Sequence, residues 1–173
     1  MRLFLIGFMG SGKTFTGKKL AVQIGYDFID LDECIEKEED RPISEIFKKE
    51  GETHFRELER LCLKKLGQHE KVVVATGGGT PCFFDNMEWM NAHGLTIYLN
   101  TPLEILLERL KNEKTHRPLI AGKMEEEWTV FIEQLLNHRK PFYEQAHLFV
   151  NIQKEQEDMV ENLGIYLNRI CSP

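Results

Sequence analysis

The sequence predicts an α/β protein with a parallel sheet flanked by helices on both faces. Three observations point there. Short apolar runs alternate along the chain with longer amphipathic segments. Several of those runs are apolar without polar alternation, as strands covered on both faces are. A glycine-rich segment, "GFMGSGKT" (7–14), directly follows the first run.

In chain order, "RLFLI" (2–6) reads as the first strand, and the helix after the glycine segment spans 13–24. "YDFID" (26–30) reads as the second strand, followed by helical patterns at 33–40, 43–49 and 52–68. "KVVVA" (71–75) is the third strand, with a helix at 83–92 after it. "LTIYL" (95–99) is the fourth, followed by helices at 102–111 and 125–145. "HLFVN" (147–151) is the fifth, and a helix at 154–171 closes the chain. Ligands of such sheets bind at the carboxyl ends of the strands, and the motifs described below follow strands.

At 173 residues the chain is expected to be one domain, 1–173, with no repeats or linkers. Its net charge of −6 argues against a general nucleic-acid binder, which needs a basic face. An acidic protein still accommodates an anionic small substrate when a few arginines converge on it. No stretch approaches the roughly 18 unbroken apolar residues of a membrane span. The opening "MRLFLIGFMG" breaks at "GSGK" without a cleavage site, so it is not read as a signal peptide. Cys34, Cys62, Cys82 and Cys171 form no CxxC pair, which fits free thiols in a reducing cytoplasm. The six histidines have no metal-ligand spacing.

Gly7, Gly12, Lys13 and Thr14 fit G-x-x-x-x-G-K-[ST]. The loop's backbone, Gly10, Ser11 and Gly12 included, would bring N–H groups to a phosphate. The helix that starts near Lys13 adds its positive dipole end. Lys13 reaches the β and γ phosphates, and the Thr14 hydroxyl joins a Mg²⁺ shell. No N-K-x-D base-reading motif accompanies the loop, which argues against a guanine-nucleotide switch. The run "KVVVATGGG" ends in threonine and glycines, not in the acidic residues of motor ATPases.

"FIDLD" places Asp30 and Asp32 at the end of a strand, and residues two apart in an extended segment face one side. Two carboxylates there need a cation or hydrogen-bond donors, which Mg²⁺–ATP and a substrate hydroxyl would supply. A solvated acidic start to the following helix is the other reading, since Asp favours N-caps. Gly77, Gly78 and Gly79 follow the third strand and leave bare backbone on which a ligand can lie. Arg56, Arg117 and Arg139 carry rigid forks suited to carboxylate and phosphate, although any one alone reads as a surface charge. Phe47 and Phe55 read as core, or as a pocket wall near Arg56.

Taken together, these residues resemble the shikimate kinase family. "GFMGSGKTFTGKKLA", "FIDLDECIE", "ISEIFKKEGETHFRELE", "ATGGG", "RPLIAG" and "RKPFYEQA" occur in that family's order, over about residues 3–150. The resemblance implies a P-loop, nucleoside-monophosphate-kinase-like fold with a five-stranded parallel sheet. It also implies a substrate-binding helical segment at about 33–60 and a mobile lid at about 111–124. The implied reaction transfers the ATP γ-phosphoryl group to the 3-hydroxyl of shikimate, with Mg²⁺, in a cytoplasmic enzyme expected to be a monomer. By resemblance, Asp32 holds the acceptor hydroxyl as base or orienter, and Asp30 acts on Mg²⁺ through water. Arg56 and Arg139 clamp the shikimate carboxylate, and Gly78 and Gly79 offer backbone groups. Lys13 and Arg117, the latter on the lid, neutralise the transferring phosphoryl group. Two departures stand out. Asp40 occupies a position where the family often has glycine, so a different turn is expected there. The segment "RLKNEKTHRPLIAG" lacks a glycine-rich stretch before the lid arginine, which leaves Arg109 only a candidate for adenine stacking. The rival readings are a kinase of another polyol acid, such as gluconate, and a nucleotide-binding module without catalysis.

Overall fold

A computed structural model describes residues 1–112, 125–153 and 157–171. Five strands, β1 (Arg2–Ile6), β2 (Asp27–Asp30), β3 (Val72–Ala75), β4 (Leu95–Asn100) and β5 (Leu148–Asn151), form one sheet in the order β2-β3-β1-β4-β5. Every pairing is parallel, with Leu3 opposite both Val73 and Leu95. The helices are α1 (Lys13–Ile24), α2 (Leu31–Glu39), α3 (Ile43–Lys65), α4 (Asn86–His93), α5 (Leu103–Asn112), α6 (Glu125–Tyr143) and α7 (Glu157–Cys171).

Strand alternation divides the core between the two faces of the sheet. Leu3, Leu5, Val73 and Ile97 point to one face and meet Leu20 of α1 and Val160 and Leu167 of α7. Phe4, Ile6, Val72 and Val74 point to the other and meet Leu31, Ile46, Leu63, Met90 and Tyr143. Both sets of strand side chains are fully buried, which explains why the runs lack polar alternation. Each such Leu or Phe contributes about 1.5–3 kcal/mol by leaving water.

The boundaries differ from the sequence reading in informative places. The helix expected from 33 begins at Leu31, because Asp30 is extended and caps it, accepting from the Asp32 N–H. The helices expected at 43–49 and 52–68 are both present within α3, separated where expected by the non-helical Gly51 (φ 83°, ψ 178°), and only the end of the second differs, a 3₁₀ turn at Leu66–Gln68. The helix expected from 83 begins at Asn86, after a 3₁₀ turn at Thr80–Cys82. Asp40 makes the left-handed turn a glycine would make, at φ 51°, and its N–H closes α2 on the Glu36 carbonyl. The different turn expected there is not needed. Residues 113–124 of the expected lid lie outside the described residues.

Candidate active site

Three strand ends open on the same side of the sheet. The Gly7–Thr14 loop leaves β1, Asp30 ends β2, and Thr76 to Gly79 leave β3. Because β1 lies between β3 and β4, these ends adjoin the point where the strand order reverses, the usual ligand crevice. A cleft of about 360 Å³ lies there, lined by Gly10, Gly12, Lys13, Thr14, Asp30, Asp32, Thr76, Gly77, Gly78 and Arg109 together with Met9 and Phe15. A larger open hollow of about 490 Å³ between α1 and α7 holds none of the motif residues.

The loop takes positive φ at Gly10 (79°) and Gly12 (91°), which a side chain would strain. Gly12 caps α1 without any side-chain bond, so the first N–H groups of that helix face the cleft for a ligand. The Lys13 ammonium donates to the Gly7 and Phe8 carbonyls, each at 2.9 Å, and is nearly buried. Loop and cation are thus positioned together.

Asp30 holds two positions at once. Its Oδ1 accepts from the Asp32 N–H at 3.1 Å, and its Oδ2 accepts from the Thr14 hydroxyl at 2.7 Å. Asp30 therefore caps α2, as the helix-start reading has it, and also faces the phosphate loop. Asp32 sits on the first turn of α2 and not on the strand, so helix geometry brings it to the cleft, not strand alternation. The Thr14 hydroxyl and Asp30 carboxylate are hard oxygen donors, the kind a divalent cation arriving with a nucleotide takes. Among the described residues no cluster of three metal-binding side chains exists.

Arg56, Arg139 and Gly79 are not among the residues lining the cleft; Arg56 packs against Gly79, and Arg139 near Gly78. Arg56 is 4% exposed. Its Nη1 donates to Glu59 at 2.8 Å, and its Nη2 and Nε donate to Glu52 at 3.0 and 3.2 Å. The guanidinium carbon lies 4.3 Å from the Phe83 ring centre. Burial opposes the Arg56 charge, but Glu59 and Glu52 more than offset it and its pKa stands above the ordinary value. Glu59 is fully buried and also accepts from Thr80 Oγ1 at 2.5 Å. Arg139 lies near Gly78, where a Cβ would come within 3.5 Å of its Nη1. Tyr143 donates to the Gly78 carbonyl at 2.5 Å, and burial keeps that phenol protonated by raising its pKa far above the usual value. Burial likewise pushes the Cys82 thiol up to about 11, against the opposing pull of Arg139 and Arg56, so both cations lie near it. The Phe47 and Phe55 rings meet at a tilt of 39°, with centres 4.7 Å apart. Arg117 lies outside the described residues, and Arg109 donates to the Gly10 carbonyl at 3.1 Å.

Gly79 is demanded by this packing. A Cβ there would lie 2.6 Å from Arg56 Nη2, 2.7 Å from Nη1 and 2.8 Å from Cζ, directly over the guanidinium. Its φ of −94° suits any residue, so Gly79→Ala displaces the cation without backbone strain. If Arg56 clamps the carboxylate that the family resemblance implies, the KM for that acceptor is expected to rise about tenfold or more, as small misplacements of positioning groups do. Steady-state kinetics with a melting curve as control checks this.

Sequence reading did not find Glu52, Glu59, Thr80 or Phe83. A signal existed for the two glutamates, which flank Arg56 at i−4 and i+3 in "GETHFRELE" on one helix face. Phe83 comes from a turn whose path has no such signal.

A parallel sheet, a phosphate loop after β1 and carboxylates after β2 define a phosphate-loop kinase of the nucleoside-monophosphate-kinase type. The shikimate kinase family model matches residues 9–167. The chain is 48% identical over 173 residues to the shikimate kinase of Bacteroides fragilis, covering 99% of this chain and 97% of that one. The crystal structure of shikimate kinase from Bacteroides thetaiotaomicron has a TM-score of 0.90 at 42% identity, over 100% of this chain and 99% of that one. The shikimate kinase of Acinetobacter baumannii in complex with shikimate has a TM-score of 0.83 at 34% identity, over 99% and 93%. The chain belongs to the shikimate kinase family. It is accordingly an ATP-dependent phosphotransferase acting on the 3-hydroxyl of shikimate, in aromatic amino-acid biosynthesis by way of chorismate.

Proposed function

We infer that the family reaction runs here on a definite division of labour. The carrying observation is that Lys13, Thr14, Asp30 and Asp32 line one cleft, with Arg139 near its lining residue Gly78 and Arg56 against the next residue, Gly79. ATP lies with its phosphates on Gly10, Ser11, Gly12 and the start of α1. Lys13 and Arg117 offset the charge of the transferring group, which needs positioning and neutralisation more than covalent help. Thr14 and, through water, Asp30 would hold Mg²⁺, which would supply positive charge to offset that of the phosphates. Asp32 receives or orients the acceptor hydroxyl. Arg56 and Arg139 take the shikimate carboxylate, with backbone groups of Gly78 and Gly79 beside them.

No described helix is long and apolar enough to cross a membrane. A net charge of −6 argues against a general nucleic-acid binder. We take the working form to be a cytoplasmic monomer. The test is ADP release from Mg²⁺–ATP with shikimate, quinate and gluconate offered separately. Turnover is expected with shikimate alone. Turnover with gluconate instead would overturn the acceptor pocket and keep the phosphate loop. Silence with all three would favour a binding module.

A further inference from the structure

Three consecutive residues of α1 line the cleft: Lys13, Thr14 and Phe15. The first two have polar work there. Phe15 has none, since a phenyl ring offers a phosphate oxygen no hydrogen bond. Yet the residue is 45% exposed, in a cleft otherwise lined mostly by polar groups and bare backbone. Lys19, one turn along, places its ammonium 4.6 Å from the ring centre and steadies it on the helix.

The cleft has a direction. Asp32, Thr76, Gly77 and Gly78 mark its acceptor end, and Met9 belongs with them, its N–H being 3.0 Å from where a Cβ on Gly78 would sit. Gly10, Gly12, Lys13, Thr14 and Asp30 hold the middle. Two lining residues remain, Phe15 and Arg109, and the Arg109 guanidinium is tethered to the Gly10 carbonyl at 3.1 Å. A nucleoside triphosphate whose γ-phosphate faces the acceptor must carry its base toward these two. Both present flat π surfaces of the kind on which bases stack.

We propose that Phe15 is a nucleoside-contacting residue whose ring stacks on the purine of ATP. This rests on the phosphate-loop reading of the same cleft. Stacking carries no hydrogen-bond readout of the base, so the contact serves affinity for the nucleoside and leaves the phosphates to the loop.

The test compares Mg²⁺–ADP with inorganic tripolyphosphate, which has the phosphates and no base, by titration calorimetry on the whole chain. Phe15→Ala is expected to weaken ADP about tenfold and to leave tripolyphosphate within about twofold. Phe15→Tyr keeps the ring and is expected to restore ADP affinity. Equal weakening of both ligands by Phe15→Ala would overturn the proposal, because Phe15 would then only shape the loop. Unchanged ADP affinity would overturn it as well. Wild-type protein that binds neither ligand would sink the phosphate-loop reading itself, and this inference with it.

Discussion

Asp32→Asn is expected to lower kcat by about 10²–10⁴-fold, the range a positioned acid–base group contributes. The affinity for Mg²⁺–ATP, read by titration, should stay within about twofold. Asp32 lies on the first turn of α2, and its backbone N–H, not its side chain, closes the Asp30 cap. An amide of the same shape therefore preserves the cap, the path of α2 and the Thr14–Asp30 contact at 2.7 Å. What it removes is the capacity to accept the proton of the acceptor hydroxyl. Loss of kcat with unchanged ATP binding separates that role from nucleotide binding. Near-normal turnover in this variant would remove Asp32 from the acceptor role. A parallel loss of ATP affinity would place Asp32 with the metal instead.

The same region marks how far sequence carries. The parallel sheet was legible from the alternation of strand and helix, and its central strands most clearly because covered strands are apolar on both sides, as Leu3 to Ile6 and Val72 to Ala75 are, buried throughout. The phosphate loop was legible because its chemistry is local, a run of eight residues whose glycines, lysine and threonine act through their own backbone turn. The ends of α2 and α4 were less so, because they are set by which carboxylate caps a helix and by a 3₁₀ turn, and both depend on neighbours. The Arg56 site was legible only in part. The arginine itself was evident, whereas its environment joins α3 to the turn after β3. Glu59 meets Thr80 across 21 positions of sequence, and Phe83 meets the guanidinium across 27, through a path that no single segment specifies.

Arg56→Lys is expected to raise the KM for shikimate by about 10- to 100-fold, equivalent to about 1.5–3 kcal/mol of charge-assisted hydrogen bonding. The KM for ATP should barely move. The planar fork is already committed on two edges, with Nη1 on Glu59 and Nη2 and Nε on Glu52, and Gly79 packs against its flat face. A lysine keeps the positive charge and so spares the fully buried Glu59 the cost of standing uncompensated. It cannot hold two glutamates and a substrate carboxylate in one plane, because an ammonium is a point charge without a fork. Arg56→Ala would be a poorer probe. It leaves Glu59 buried beside no cation, which costs about 3–5 kcal/mol and confounds substrate affinity with folding. Melting curves therefore accompany the kinetics, and the lysine variant is expected to melt within a few degrees of wild type. A rise in KM for shikimate alone supports the carboxylate clamp. KM values for shikimate and ATP that rise together would mean Arg56 shapes the whole cleft and does not hold the acid.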